Sequence, residues 1–126
     1  MLDVKKLLTK ILSTPLVVEQ GTSGIWTYRK WSNGTAEIWG IKEQSITGVS
    51  KSQPFSGYNY AFGQVQYPSG FFVAVPVAVV SGRVGSMYQV VSYSASYQSA
   101  VSIEFQSNAS GTYNCCAYIY SIGRWK

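Results

Sequence analysis

The pattern of apolar and polar positions predicts an antiparallel β protein. Between residues 101 and 106, apolar side chains occupy every second position and polar side chains fill the others. Strict alternation is typical of a strand with one buried and one solvated face. Comparable segments recur along the chain, separated by turn-forming residues roughly every 8–12 positions. The pattern therefore predicts about seven or eight strands in an antiparallel β-sandwich.

Residues 2–13 have helical periodicity instead. Apolar residues recur at helical spacing from Val4 to Leu12, with lysines on the other side, and Pro15 ends the helix. We therefore divide the chain into a short amphipathic helix, residues 1–14, and a β-sandwich head, residues 15–126. The helix is either a stalk that associates with copies of itself or a helix packed on its own domain. Its position before an all-β sequence favours the stalk.

The aromatic segment from Gly24 to Gly40 is predicted to form a β-hairpin. Asn33-Gly34 favours a two-residue type I′ turn. This turn pairs Lys30 with Glu37 and Tyr28 with Trp39. It places Trp26, Tyr28, Trp39 and Ile41 on one face, and Trp31 and Ile38 on the other. We expect one face to seal the core and the other to meet a second subunit, with structural or interface roles for Trp26, Tyr28, Trp31, Trp39 and, near the chain end, Trp125.

Composition limits the kinds of partner. Only 12% of residues are charged, and ten are tyrosines, so the surface is rich in neutral hydrogen-bonding groups. The net charge of +5 would suit a nucleic-acid binder, but no basic cluster follows residue 10. We therefore expect no nucleic-acid partner and keep it as the least favoured alternative. The longest apolar run, residues 71–80, is predicted to be a strand buried on both faces. It is too short to span a bilayer, so we expect no membrane partner.

The sequence has few groups suited to catalysis. It contains no histidine and only five carboxylates, which excludes a Ser-His-Asp arrangement and disfavours a carboxylate pair. Adjacent Cys115 and Cys116 cannot form a metal site without further Cys or His ligands, and we interpret them as small buried thiols. We therefore expect no enzyme activity, no cofactor and no metal.

Aromatic and hydroxyl side chains remain as candidate binding groups. Sugar-binding proteins stack aromatic rings on pyranose rings and hold the hydroxyls with neutral hydrogen-bonding groups. The Ser/Tyr-rich segment around residues 92–99 offers such groups, and the predicted ligand-binding residues are Tyr93, Tyr97, Tyr88 and Arg83. The alternative is that residues 93, 95 and 97, at a spacing of two, form the inward face of a strand.

The segment from Gly24 to Gly40, together with the ending Tyr120-Ser-Ile-Gly-Arg-Trp-Lys126, resembles the C-terminal module of tail-fibre and minor structural proteins of tailed phages. The resemblance covers nearly the whole chain, and that module resembles the trimeric H-type lectin fold. It implies a homotrimer on a phage tail or baseplate that binds a host cell-surface glycan. We expect association with other phage tail proteins, and the absence of a disulfide scaffold is compatible with assembly in the reducing bacterial cytoplasm. A purely structural tail or baseplate connector is the alternative.

Overall fold

The chain forms one short helix followed by antiparallel strands. The computed structural model describes residues 3–53, 56–86 and 91–126, and for residues 11–13 and 91–93 it describes the backbone only. The elements are α1 (Val4–Ser13), β1 (Val17–Ser23), β2 (Trp26–Trp31), β3 (Thr35–Thr47), β4 (Val49–Lys51), β5 (Gly57–Gln66), β6 (Val77–Val84), β7 (Val91–Ser96), β8 (Ala100–Ser107) and β9 (Thr112–Arg124). The predicted all-β fold with a short N-terminal helix is confirmed.

The strands are arranged in two antiparallel sheets. The five-stranded sheet has the order β1-β2-β3-β9-β6, and the four-stranded sheet has the order β4-β5-β8-β7. The thirteen-residue strands β3 and β9 pair along their whole length in the five-stranded sheet. Their central position means that side chains on either face of β3 and β9 have neighbours on both sides.

Both sheets contribute side chains to one apolar core. Tyr60 of β5 and Tyr113 of β9 meet edge to face with ring centroids 6.0 Å apart, which connects the two sheets. Ile38 of β3 and Phe105 of β8 are fully buried. Each such buried side chain contributes about 1.5–3 kcal/mol relative to an exposed one. Gly82 permits close packing, because a Cβ there would lie 2.6 Å from Phe105 Cζ.

The chain end is held on the hairpin by Trp125. Its indole Nε1–H donates to the Trp31 carbonyl at 2.8 Å, and its backbone N–H donates to the Gly34 carbonyl at 2.9 Å. The ammonium groups of Lys30 and Lys126 lie 5.5 and 5.0 Å from its ring centroid. Cation–π contacts at such distances are each worth about 0.5–1 kcal/mol at exposed sites.

The predicted register of the Trp hairpin is wrong by one residue. Arg29, and not Lys30, lies opposite Glu37, and Tyr28 lies opposite Ile38 instead of Trp39. The reason is the loop, since Gly34 has a φ of 92° while Asn33 does not adopt a positive φ. The Gly34 N–H donates to the Trp31 carbonyl at 3.0 Å, which closes a three-residue loop in place of the two-residue type I′ turn.

A shift of one residue exchanges the two faces of β3. Ile38 is buried in the core on the same face as Trp26, whereas Trp39 and Ile41 lie on the opposite face of the sheet with Trp31. Ile41 is 51% exposed. The predicted face made of Trp26, Tyr28, Trp39 and Ile41 is therefore wrong in its β3 half.

The apolar run at residues 71–80 is not one buried strand. Phe71 and Phe72 are buried in the loop before β6, and the strand itself begins at Val77. Val77 and Val79 are exposed, because alternate residues of β6 point away from the core. The adjacent Cys115 and Cys116 are free and buried, as predicted.

Helix α1 begins after Asp3, whose Oδ1 accepts the Lys6 N–H at 3.0 Å as an N-cap. Val4, Leu7 and Leu8 on its apolar side remain exposed. These side chains form a second apolar surface, separate from the sheets.

We expect Trp26→Ala and Trp39→Ala to differ sharply in their effect on folding stability. Trp26 is 4% exposed and its indole N–H donates to the Gln66 carbonyl at 2.8 Å, so its loss should cost about 3–5 kcal/mol. Trp39 lies on the face of the five-stranded sheet that points away from the core, and its loss should cost about 1 kcal/mol. Urea unfolding of both variants measures the difference, and equal losses would contradict the observed register.

Candidate functional site

We use the term outer face for the side of the five-stranded sheet that points away from the core. Cross-strand pairing arranges it in rows. One row contains Thr22, Thr27, Trp39, Tyr120 and Val79, and the next contains Gln20, Arg29, Glu37, Ile122 and Val77. Both rows begin with polar residues on β1 and end with valine on β6. The outer face therefore changes from polar to apolar across the sheet.

Glu37 is the centre of a hydrogen-bonded cluster on this face. Its Oε2 accepts the Tyr120 hydroxyl at 2.6 Å, and its Oε1 accepts the Trp31 indole N–H at 3.2 Å. Arg29 Nε lies 3.0 Å from the same Oε1 as an ion pair. The carboxylate is thus held by two hydrogen bonds and one ion pair, and its side chain is 12% exposed.

This environment lowers the pKa of Glu37 below its ordinary value. The hydrogen bond from Tyr120 is the largest cause, and Trp31 and Arg29 act in the same direction against desolvation. The same hydrogen bond raises the pKa of the Tyr120 hydroxyl. Near neutral pH the carboxylate is therefore ionised and the phenol is protonated, an arrangement that fixes side chains rather than transfers protons.

Arg29 lies between two indole rings. Its guanidinium carbon is 5.8 Å from the Trp31 ring centroid and 5.2 Å from that of Trp39. Both distances fall within the range of cation–π attraction. The Arg29 side chain is 42% exposed, so part of the guanidinium group faces solvent.

Trp39 separates two grooves on the outer face. The first, which we name the polar groove, has a volume of about 430 Å³ and is lined by Gln20, Gly21, Thr22, Thr27, Tyr28, Arg29 and Trp39. The second, which we name the apolar groove, has a volume of about 310 Å³ and is lined by Trp39, Gly40, Ile41, Val79, Ser81, Tyr118, Ile119 and Tyr120. Both reach the lower end of the size range of small-ligand sites.

The residues predicted to bind ligand are not brought together by the described part of the chain. Arg83 lies on β6 of the five-stranded sheet, where its Nη1 donates to the Gly85 carbonyl at 2.7 Å. Tyr97 follows β7 of the four-stranded sheet and is exposed. Tyr93 pairs through its backbone with Glu104, and Tyr88 lies outside the described residues. The ligand role of these four residues stays a prediction.

The alternative for this segment, an inward face at residues 93, 95 and 97, is wrong at two positions. Ala95 and Tyr97 are both exposed. On β8, Val101, Ile103 and Phe105 are fully buried, and β7 pairs with these three through its serines rather than through residues 93 and 95.

The predicted structural and interface residues divide between the two faces. Trp26 is in the core, and the Tyr28 ring packs edge-on against Phe71 with centroids 5.3 Å apart. Trp31 and Trp39 belong to the outer face. Sequence reasoning missed four residues beside them, because the type I′ register hid their common face: Gln20, Thr22, Thr27 and Arg29. A three-residue loop ending at Gly34 would have revealed it.

Within residues 3–53, 56–86 and 91–126, no group of three or more His, Cys, Asp and Glu side chains could hold a metal ion. In the same ranges, no helix has the length and apolar character needed to cross a membrane.

The fold is similar to that of two solved tail-fibre structures. One is a P. aeruginosa R1 pyocin fibre comprising C-terminal residues 323–701, with a TM-score of 0.56 and 14% identity over 98% of this chain. The other is an N-truncated R1-type pyocin tail fibre, with a TM-score of 0.55 and 12% identity over 98% of this chain. The present chain spans 32% of the first structure and 98% of the second. At this identity the similarity shows the fold, and it agrees with the predicted resemblance to tail-fibre modules.

No family profile matches the chain. No curated protein matches it significantly either.

We expect Glu37→Gln to destabilise the fold by about 1–2 kcal/mol at pH 7, because it removes the charge that two hydrogen bonds and the Arg29 ion pair stabilise. The folded pKa lies below the ordinary value of 4.5, so the contribution of Glu37 is complete above pH 4.5. It is lost as the pH falls through the folded pKa. The difference in unfolding free energy between wild type and variant should therefore shrink between pH 5 and pH 3 in urea titrations.

The matched control is Glu43→Gln, an exposed carboxylate on the same strand. It should change stability by less than about 0.5 kcal/mol. A difference for Glu37→Gln that does not depend on pH would contradict the role of the charge.

Proposed function

We propose that this chain is a non-enzymatic receptor-binding head of a phage-type tail fibre. In this proposal it is a β-sandwich of the H-type lectin kind that forms a homotrimer in the virion tail and binds a host cell-surface glycan. The observation that carries the proposal is the similarity to R1 pyocin tail-fibre structures over 98% of the chain. The head would assemble in the bacterial cytoplasm with other phage tail proteins.

The apolar part of the outer face supports self-association. It combines large side chains that remain exposed in the single chain: Ile41, Val77, Val79, Tyr118, Tyr120 and Ile122. Contiguous exposed apolar surface on a protein of this size marks interaction sites. Helix α1 adds Val4, Leu7 and Leu8, so contact between copies would cover two apolar surfaces of each chain at once.

Trimerisation would also explain how individually weak glycan sites could hold the head on a host surface. Three sites on one rigid head bind a repetitive polysaccharide with an avidity well above that of a single site. The surface offers few charges for long-range attraction, since only 12% of residues are charged. Binding would therefore depend on short-range stacking and hydrogen bonds.

We expect Val79→Asp to convert a homotrimer into monomers, because it places a charge in the proposed subunit contact. The matched control is Val49→Asp on β4, since Val49 is 64% exposed and Val79 is 63% exposed. Light scattering after size-exclusion chromatography should give three times the 13.9 kDa chain mass for wild type and for the control. A monomeric wild type at micromolar concentration would refute the trimer, and a trimeric Val79→Asp variant would place the contact elsewhere.

We expect the wild-type protein to bind a subset of polysaccharides on an array of bacterial capsules, O-antigens and wall polymers. A second candidate function is a structural tail or baseplate connector, which the apolar groove beside Trp39 favours as a docking surface for protein. An array without any binding, together with a stable complex with a neighbouring tail protein, would support the connector instead.

A further inference from the structure

The four tryptophans differ in what their indole N–H groups bind. The N–H groups of Trp26, Trp31 and Trp125 donate to Gln66, Glu37 and Trp31 respectively. Trp39 donates to no acceptor among the residues that the structure describes. Its side chain is partly exposed and lines the polar groove. A donor of this kind is free to bind an acceptor from a ligand.

Besides Trp39, Gly21 and Tyr28, the polar groove is lined by three neutral hydrogen-bonding side chains and one cation. Thr22 and Thr27 are cross-strand neighbours, and Thr27 in turn lies opposite Trp39. Gln20 and Arg29 are the corresponding pair in the next row. Hydroxyl and amide groups donate and accept hydrogen bonds, whereas the indole and guanidinium groups only donate. No carboxylate lines the groove, so its occupant should be rich in acceptor oxygens.

We propose that the polar groove is a subsite for a hexopyranose residue of a polysaccharide, in which the sugar ring packs on the Trp39 side chain. The Trp39 N–H and the exposed part of Arg29 donate to its oxygens, and Gln20, Thr22 and Thr27 bind its hydroxyls. This inference rests on the proposed function and names the part of the surface that would bind the glycan. The volume of about 430 Å³ accommodates one ring with its substituents.

Two other grooves beside tryptophan side chains fit a sugar less well. A groove of about 470 Å³ lies beside Trp26, but that side chain is 4% exposed and its N–H is already bonded. The apolar groove offers mainly aliphatic and aromatic side chains, which suit a protein partner. The polar groove lies towards β1. The most exposed valines of the five-stranded sheet lie on β6, at its other edge. Sugar binding and subunit contact can therefore use different parts of the outer face.

The indole resonances of the four tryptophans test this inference directly. We expect the ¹⁵N-labelled protein, titrated with glucose, galactose, N-acetylglucosamine and glucuronic acid, to show a saturable shift of the Trp39 Nε1–H signal. The other three indole signals, assigned with Trp→Phe variants, should move little. A stronger response to glucuronic acid that salt weakens would indicate an acidic sugar at Arg29, and an equal response to glucose would indicate a neutral one.

Substitutions then separate the groove from other surfaces. Trp39→Leu should weaken binding to the best polysaccharide of the array at least about tenfold, and Thr27→Val should weaken it severalfold. The control is Tyr118→Phe, which alters an exposed aromatic side chain that lines the apolar groove but not the polar groove, and it should bind within about twofold of wild type. The NMR spectrum of each variant verifies that it is folded.

The outcomes distinguish the subsite from the proposed function. If the wild type binds a polysaccharide but Trp39→Leu and Thr27→Val keep full affinity, the subsite is refuted while the receptor-binding function stands. Loss of binding in Tyr97→Ala alone would then locate the site at the segment predicted from the sequence. If no polysaccharide binds and no sugar moves an indole signal, both the subsite and the glycan-binding function fail.

Discussion

The pairing of β2 with β3 through the three-residue loop at Gly34 is the constraint on which the rest of the structure depends. Because Gly34 has a positive φ and Asn33 does not, the loop has three residues and Arg29, not Lys30, lies opposite Glu37. That choice sends Ile38 into the core and Trp39 to the outer face. A two-residue turn would have done the reverse, because a strand exchanges its faces with every shift of one residue. The composition of the outer face is thus a consequence of loop geometry.

Contacts made by the end of the chain also stabilise this register. The Trp125 indole N–H donates to the Trp31 carbonyl, and the Lys30 ammonium lies 5.5 Å from the centroid of the Trp125 ring. These contacts connect the end of β9 to the β2–β3 hairpin. Tyr120 of β9 reaches Glu37 across the same pairing. Residues that are distant in sequence therefore hold one carboxylate, one guanidinium group and two indoles in fixed positions. Preorganisation of this kind reduces the entropy lost when a ligand binds.

The outer face combines two surfaces of different chemistry on one sheet. Its β1–β2 side offers hydroxyl, amide and guanidinium groups beside Trp39, and its β9–β6 side offers valine, isoleucine and tyrosine side chains. Under the proposed function, contact between copies and binding of a polysaccharide would use these two kinds of surface. The similarity to the pyocin tail-fibre structures concerns the fold that carries both.

The sequence by itself determined the class of the fold, since alternating residues such as those of β8 and the helical spacing of α1 are local properties of the chain. It also determined that the Trp hairpin exists, and it predicted structural or interface roles for Trp26, Trp31, Trp39 and Trp125. Only the tertiary structure decided the register of that hairpin, because Asn33-Gly34 is compatible with two loop lengths that differ by one residue. It likewise decided that Arg83 lies in the five-stranded sheet while Tyr97 follows a strand of the four-stranded sheet, and that Gln20, Thr22, Thr27 and Arg29 lie beside Trp39. Those neighbours depend on strand order, which local spacing does not encode.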